Sequence, residues 1–177
     1  MTAQLIPAFV DGQLTPVEKL EVHQRGLRHP AISVFVLRGD AVLMQRRALS
    51  KYHTPGLWTN TVCTHPHWGE AALECATRRV DEELGLTGLS LRHAGVVEYR
   101  ADMQGGLIEH EVVDVFTAEA LPGQEAVPNP DEVAEVAWLP MADLLADLTA
   151  RPERYTPWLK IYMEKHRQMI FDGVLAV

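Results

Sequence analysis

The sequence predicts an α+β fold, a mixed β-sheet sandwiched by helices in a single domain. Three observations predict it. Short β-branched apolar runs recur along the chain, and the run LIEHEVVDVF alternates strictly between two faces. Between those runs lies a stretch after Gly69 whose apolar residues return at helical spacing. The chain has 177 residues with no repeat, low-complexity tract or linker, a length that one core can serve.

The elements follow in order. Residues 1–12 read as a short strand ended by the turn pair Asp11-Gly12. Thr15-Pro16-Val17-Glu18 has the chemistry of a helix start: a capping Thr, Pro at the first position and an acid in the first turn. His23 and His29 then flank Gly26 in a polar, basic segment, where an isolated histidine ordinarily faces solvent. From Ala31, AISVFVLRGDAVLMQRR reads as two strands joined by Arg38-Gly39-Asp40, a hairpin that delivers Arg46 and Arg47 at its end.

Trp58 to Leu86 is the densest stretch. An extended arm ends at Pro66 and Gly69, and a helix is expected from about Gly69 to Leu84. Leu73, Ala76, Val80 and Leu84 form its buried stripe, Arg79 and Glu83 flank it, and Arg78 and Glu82 point away. Cys75, on the side away from that stripe, reads as an inert packed thiol. Leu91 to Tyr99 and Leu107 to Thr117 read as strands around the Gly105-Gly106 turn, and Glu135 to Leu139 as a shorter strand. The 122–131 stretch is a loop. Helices close the chain, at Met141 to Leu148 and from Tyr155 to Phe171, starting near Pro157.

Composition excludes several classes of function. Hydrophobic content of 47% against 23% charged argues for a packed globule over disorder. A net charge of −8 disfavours broad nucleic-acid binding, which needs a basic face. Nothing reads as a signal peptide, and no apolar run reaches the roughly 20 residues of a membrane span, so neither a membrane nor a nucleic acid is an expected partner and the expected location is cytoplasmic. Small anions need only a local cluster, which Arg46, Arg47 and Lys51 supply, with Arg78 and Arg79 as a possible second. The two cysteines, Cys63 and Cys75, admit one disulfide, but a His-flanked Cys in a cytosolic chain more often marks a metal site or a reactive thiol.

Two groups of residues invite chemistry. Cys63 and His65 lie two apart in an extended arm, so a thiol and an imidazole share one face. Glu109 and Glu111 share a face that continues as Val113 and Val115, two carboxylates about 7 Å apart. Ionised and unpaired on an apolar face, they would repel each other and lose hydration. Either that face opens to water or a cation sits between them. Imidazole suits Zn, Mn or Fe and carboxylate suits Mg or Mn, so His23, His29, His65, Glu109 and Glu111 would make a divalent-metal set if they converge, which spacing alone leaves open.

The helix and its tail, Arg78-Arg79-Val80-Asp81-Glu82-Glu83-Leu84-Gly85-Leu86, resemble the Nudix box. Thr64 stands where the hydrolase form of the box has its first glycine, and Arg79 where it has its first tail glutamate. Those departures, with RRALSKYHTPGLWTNTVCTHP upstream, resemble the type I isopentenyl-diphosphate isomerases of the Nudix superfamily, from about Glu18 to Trp158.

That resemblance implies a Nudix-like fold and a small five-carbon homoallylic or allylic diphosphate as substrate. It implies one divalent metal (Mn, Mg or Zn) on His23, His29, His65, Glu109 and Glu111, and a magnesium bridging the diphosphate to Glu83. It assigns proton transfer to Cys63 and Glu111, with Tyr99 beside Glu111. Lys19, Arg47, Lys51 and Arg79 would hold the diphosphate, and Trp158 would face the cation, while Trp58 and Trp68 read as core or lid. Two rivals stand beside it: a Nudix hydrolase, disfavoured because Arg79 puts a positive charge where a metal-holding acid belongs, and a binding module with structural zinc on Cys63, His65 and the upstream histidines.

Overall fold

A computed structural model describes residues 4–175 of the chain. The first element is a separate hairpin, β1 (Leu5–Val10) and β2 (Gln13–Glu18). Asp11 and Gly12 both take positive φ, 50° and 80°, as a two-residue turn matched to strand twist requires. The helix expected at Thr15-Pro16 is therefore a strand, with Thr15 opposite Ala8 and Pro16 opposite Pro7. A tight turn commits the next segment to pairing, and Pro is tolerated on such an edge. The helix α1 (Lys19–Arg25) starts only afterwards, with the Glu18 carboxylate accepting the Glu21 N–H at 2.9 Å.

The main sheet is mixed. Along it run β5 (Trp58–Thr59), β4 (Ala41–Arg47), β3 (His29–Arg38), β8 (Ile108–Glu119) and β7 (Arg92–Asp102). β6 (Val62–Thr64) pairs with the start of β3, and β9 (Val133–Pro140) with β4. β3 and β8 run parallel and the other pairs antiparallel. β3 is covered on both faces, so it carries a continuous apolar run, with Ala31 through Leu37 buried throughout.

Each face of β3 has its own core. Ile32, Val34 and Val36 pack with Val62, Phe116 and helix α2 (Ala72–Leu84). Ala31, Phe35 and Leu37 pack with Val113, Val115, α3 (Met141–Ala150) and the C-terminal helical segment. That segment runs from Pro157 to Phe171, with one π turn at Tyr162–His166 between α4 (Pro157–Ile161) and α5 (Arg167–Phe171).

α2 begins three residues later than expected, and the face it turns to the sheet starts at Cys75. Cys75, Ala76, Val80, Glu83 and Leu84 are buried, whereas Leu73 in the first turn is half-exposed. Cys75 thus belongs to the core, not to the side away from it. Arg79 and Glu83 lie at the margin of that face, as the spacing predicts.

Candidate active site

Register builds the site. On β8, Glu109, Glu111, Val113 and Val115 are buried while Ile108, His110, Val112 and Asp114 between them are less so. Glu111 stands opposite His29 on β3 and Tyr99 on β7, and Cys63 on β6 stands opposite Ser33 on β3. One end of one sheet face therefore gathers an imidazole, two carboxylates, a phenol and a thiol. His65 continues the arm two residues past Cys63 and joins them. α1 packs on β8 and brings His23. Both His23 and His29 are fully buried, contrary to the solvent-facing positions that their local sequence suggests.

The geometry within the cluster is directional. The His23 Nδ1–H donates to the Lys19 carbonyl at 2.6 Å and the His29 Nδ1–H to the Leu27 carbonyl at 2.7 Å, which turns both Nε2 atoms inward. His29 Nε2 lies 3.1 Å from His65 Nε2, which lies 2.9 Å from Glu111 Oε1. His23 Nε2 is 3.1 Å from Glu109 Oε2, yet both atoms are buried without a hydrogen-bond partner. Lone pairs aimed at a common point leave atoms orphaned in this way. One ligand atom each from His23, His29, His65 and Glu109 falls within a 4.8 Å group, which could hold a metal ion. Glu111 adjoins that group, 2.9 Å from His65 and 3.7 Å from His29. Three imidazoles and carboxylate oxygens fit a divalent ion.

Charge states follow burial and neighbours. Burial, with the Glu111 charge second, raises the Glu109 carboxyl above its ordinary value. Burial acts the same way on Glu111, but His29 and His65 outweigh it and hold the carboxyl low. Burial holds His65 well below the ordinary histidine value, which favours the neutral imidazole a metal takes. Burial and the neighbouring Glu111 push the Tyr99 phenol far up, so the hydroxyl stays protonated and donates to Glu111 Oε2 at 2.5 Å. The Cys63 thiol is raised well above its usual value by burial, then by Glu111.

A cleft of about 380 Å³ opens over this cluster, lined by Cys63, His65, Glu109, Glu111 and Trp158. The same cleft is rich in cations: Lys19, Arg47, Lys51, Arg78 and Arg79 line it, with Glu83 and Glu132 among them. Burial lowers the Lys19 ammonium, and repulsion from Lys51, Arg79 and Arg47 adds to it, so these cations converge. Glu132 bridges Lys51 and Arg79, the latter at 3.2 Å, and Glu83 takes Arg79 at 2.5 Å and Gln45 at 3.0 Å. The i,i+4 pairing of Arg79 and Glu83 is therefore real, and both also face the cleft. Arg46, grouped with these by sequence, pairs instead with Glu135 at 3.0 Å, outside the cleft.

Among the tryptophans, Trp158 is 2% exposed, its Nε1–H donating to Thr59 Oγ1 at 2.7 Å and the Arg47 guanidinium 5.3 Å from its ring centroid. Trp58 packs at the edge of the core and Trp68 is half-exposed. Both cysteines are free thiols, so the possible disulfide is absent. Several residues of the site escaped sequence reasoning, among them Gln45, Tyr52, His53 and Glu132, which line the cleft. His53, 6% exposed, places Nε2 at 3.2 Å from Glu109 Oε1 and stands perpendicular to Trp158 with ring centroids 6.0 Å apart. His53 lies within RRALSKYHTPGLWTNTVCTHP, but a lone histidine before Thr54-Pro55 has no periodic pattern to show which way it points.

The NUDIX domain family model matches residues 27–159. The isopentenyl-diphosphate Delta-isomerase of Rhodobacter capsulatus is 62% identical over 176 residues, covering 99% of this chain and all of that one. Its counterpart from Roseobacter denitrificans is 62% identical over 173 residues, 98% of each. Among solved structures, a Deinococcus radiodurans protein superposes with a TM-score of 0.70 over 89% of this chain and 94% of its own, at 19% identity. A MutT NUDIX hydrolase from Burkholderia pseudomallei gives 0.59 over 78% and 98%, at 23% identity. Those distant likenesses carry the fold alone, whereas the near-full-length relatives carry more: the chain belongs to the isopentenyl-diphosphate Delta-isomerase family, on a NUDIX fold.

Proposed function

We propose that this chain interconverts isopentenyl diphosphate and dimethylallyl diphosphate, supplying isoprenoid precursors. The observation that carries the reading is a thiol and a carboxylate–phenol pair at one cleft that is also lined by a group of cations. Shifting a double bond by one carbon needs a proton delivered to one carbon and another removed two carbons away. The tertiary carbocation between those events requires exclusion of free water.

Cys63 and Glu111 are the two groups for these transfers. Burial favours the protonated thiol, and His29 and His65 favour the ionised carboxylate, which suits the thiol as donor and the carboxylate as acceptor. Tyr99 holds Glu111 Oε2 and shares the proton on that side. The alkene's electron pair takes the proton at the terminal methylene, leaving the positive charge on the tertiary carbon. Loss of a proton from the carbon nearer the diphosphate then restores the double bond. Trp158 offers its face to the cation, worth about 0.5 to 2 kcal/mol when desolvated. Arg47, Arg79, Lys19 and Lys51 grip the diphosphate, guanidiniums as forks and ammoniums as point charges.

His23, His29, His65, Glu109 and Glu111 would hold a divalent ion, manganese, magnesium or zinc, and Glu83 a magnesium arriving with the diphosphate. Bound there, the ion supplies positive charge that fixes the orientation of Glu111. The test is incubation of isopentenyl diphosphate in heavy water. The reading predicts deuterium in the methyl group of dimethylallyl diphosphate. Phosphate release from generic diphosphates, with no deuterated product, would return the hydrolase reading.

A further inference from the structure

We propose that His53 is a positioning residue for Glu109, holding one oxygen of that carboxylate so that the other faces the three-histidine cluster. This assignment rests on the metal reading of the cluster and extends it by one residue outside the metal-facing group.

The two oxygens of Glu109 are divided between different partners. Oε2 lies 3.1 Å from His23 Nε2 and 3.8 Å from His29 Nε2, on the ligand side. Oε1, the other oxygen, lies 3.2 Å from His53 Nε2. The His53 ring is itself held. Its Nδ1 is 3.1 Å from the Thr54 hydroxyl, which can donate to it and so leave the proton on Nε2, facing the carboxylate. Arg47 Nη2 donates to the His53 carbonyl at 3.3 Å, and Tyr52 and Trp158 stand perpendicular to the ring at 4.4 and 6.0 Å between centroids.

The backbone shows that this placement is built in. Thr54 is buried at φ +46°, a region that a β-branched residue enters only when its surroundings enforce it. The strained residue is the one whose hydroxyl sets the His53 ring. A carboxylate free to rotate presents its oxygens to an ion in many arrangements, whereas one pinned at Oε1 presents Oε2 in one. Partners of that kind typically change metal affinity by about 10–100-fold.

The experiment titrates the metal-stripped full chain with Mn²⁺, following loss of the free-ion electron paramagnetic resonance signal, for the parent, His53→Ala and His53→Gln. Unfolding midpoints are taken for all three in excess chelator. Expected are one cluster-bound ion per chain in each, a dissociation constant weakened about 10–100-fold in His53→Ala, and recovery to within a few-fold in His53→Gln, whose amide N–H can reach Oε1. Metal-free midpoints should drop in both variants, since each loses the buried ring, and so should not track affinity. Parent-like affinity in His53→Ala would overturn the assignment and leave the metal site intact. A His53→Gln as weak as His53→Ala, or a metal-free midpoint falling in step with affinity, would overturn it in favour of direct ligation or a merely structural role. A parent that takes up no Mn²⁺ at the cluster would overturn the metal reading and this assignment together.

Discussion

Replacing Cys63 by serine separates the isomerase reading from the structural-zinc rival. The ligand atoms of His23, His29, His65 and Glu109 converge within 4.8 Å without the sulfur, so metal content should not change. Stability should change little too. Ser33 stands opposite Cys63 in the strand register and can pair with the new hydroxyl, a bond worth about 0.5–1.5 kcal/mol net. That gain offsets most of the cost of enclosing a more polar group, so the midpoint should move by no more than about 4 °C, the equivalent of about 1 kcal/mol in a chain of this size. The chemistry should suffer far more, because an alcohol is a much weaker acid than a thiol. Positioned acid–base groups contribute about 10²–10⁴-fold to rate, or roughly 3–5 kcal/mol of barrier. The assay is conversion of isopentenyl to dimethylallyl diphosphate, beside metal content and a thermal melt on the same preparation. A folded, metal-loaded variant slowed at least about 10²-fold is the expected result. Turnover within tenfold of the parent would refute the role of the sulfur, and loss of metal or fold would move Cys63 into the zinc-holding role.

Tyr99→Phe should cost about 1.5–3 kcal/mol of stability, because it strips a buried, charged carboxylate of a 2.5 Å hydrogen bond. Urea unfolding of the metal-free protein checks this, and parent-like stability would contradict it. On α2, Arg78 forks onto Glu70 at 2.6 and 2.8 Å and holds its carboxyl at about 2, below the ordinary 4.5. A depressed carboxyl stabilises the fold above 4.5 and loses that contribution as pH falls towards 2. Surface screening limits it to about 1 kcal/mol. Glu70→Gln should therefore be the less stable protein at pH 6 and match the parent near pH 2 by chemical denaturation.

Much of the site was legible because its logic is local. Period-two alternation put Glu109 and Glu111 on one face, and the same rule put Cys63 beside His65. The Arg38-Gly39-Asp40 turn announced the β3–β4 hairpin, which carries Arg47 to the cleft. What local pattern could not reach depends on distant packing. His23 and His29 are buried because α1 and the start of β3 lie against β8, some eighty residues on. Thr15-Pro16 has helix-start chemistry, but pairing with β1 overrides it. Leu73 and Cys75 exchange the burial that periodicity assigns them, since the sheet-facing side of α2 begins one turn in. His53 sits in an irregular loop, where no period tells which way a side chain points.

The central claim is that three imidazoles and two carboxylates hold one divalent ion on which isomerisation depends. The most direct measurement strips the purified protein with chelator, then records isopentenyl diphosphate turnover and the unfolding profile before and after restoring Mn²⁺ in stoichiometric steps, with Mg²⁺ present for the diphosphate and bound Mn and Mg counted by elemental analysis at each step. The account predicts a folded, inactive stripped protein whose turnover returns in full at one ion per chain. Full turnover while the cluster holds neither Mn nor Mg, or collapse of the fold when the ion leaves, would contradict it.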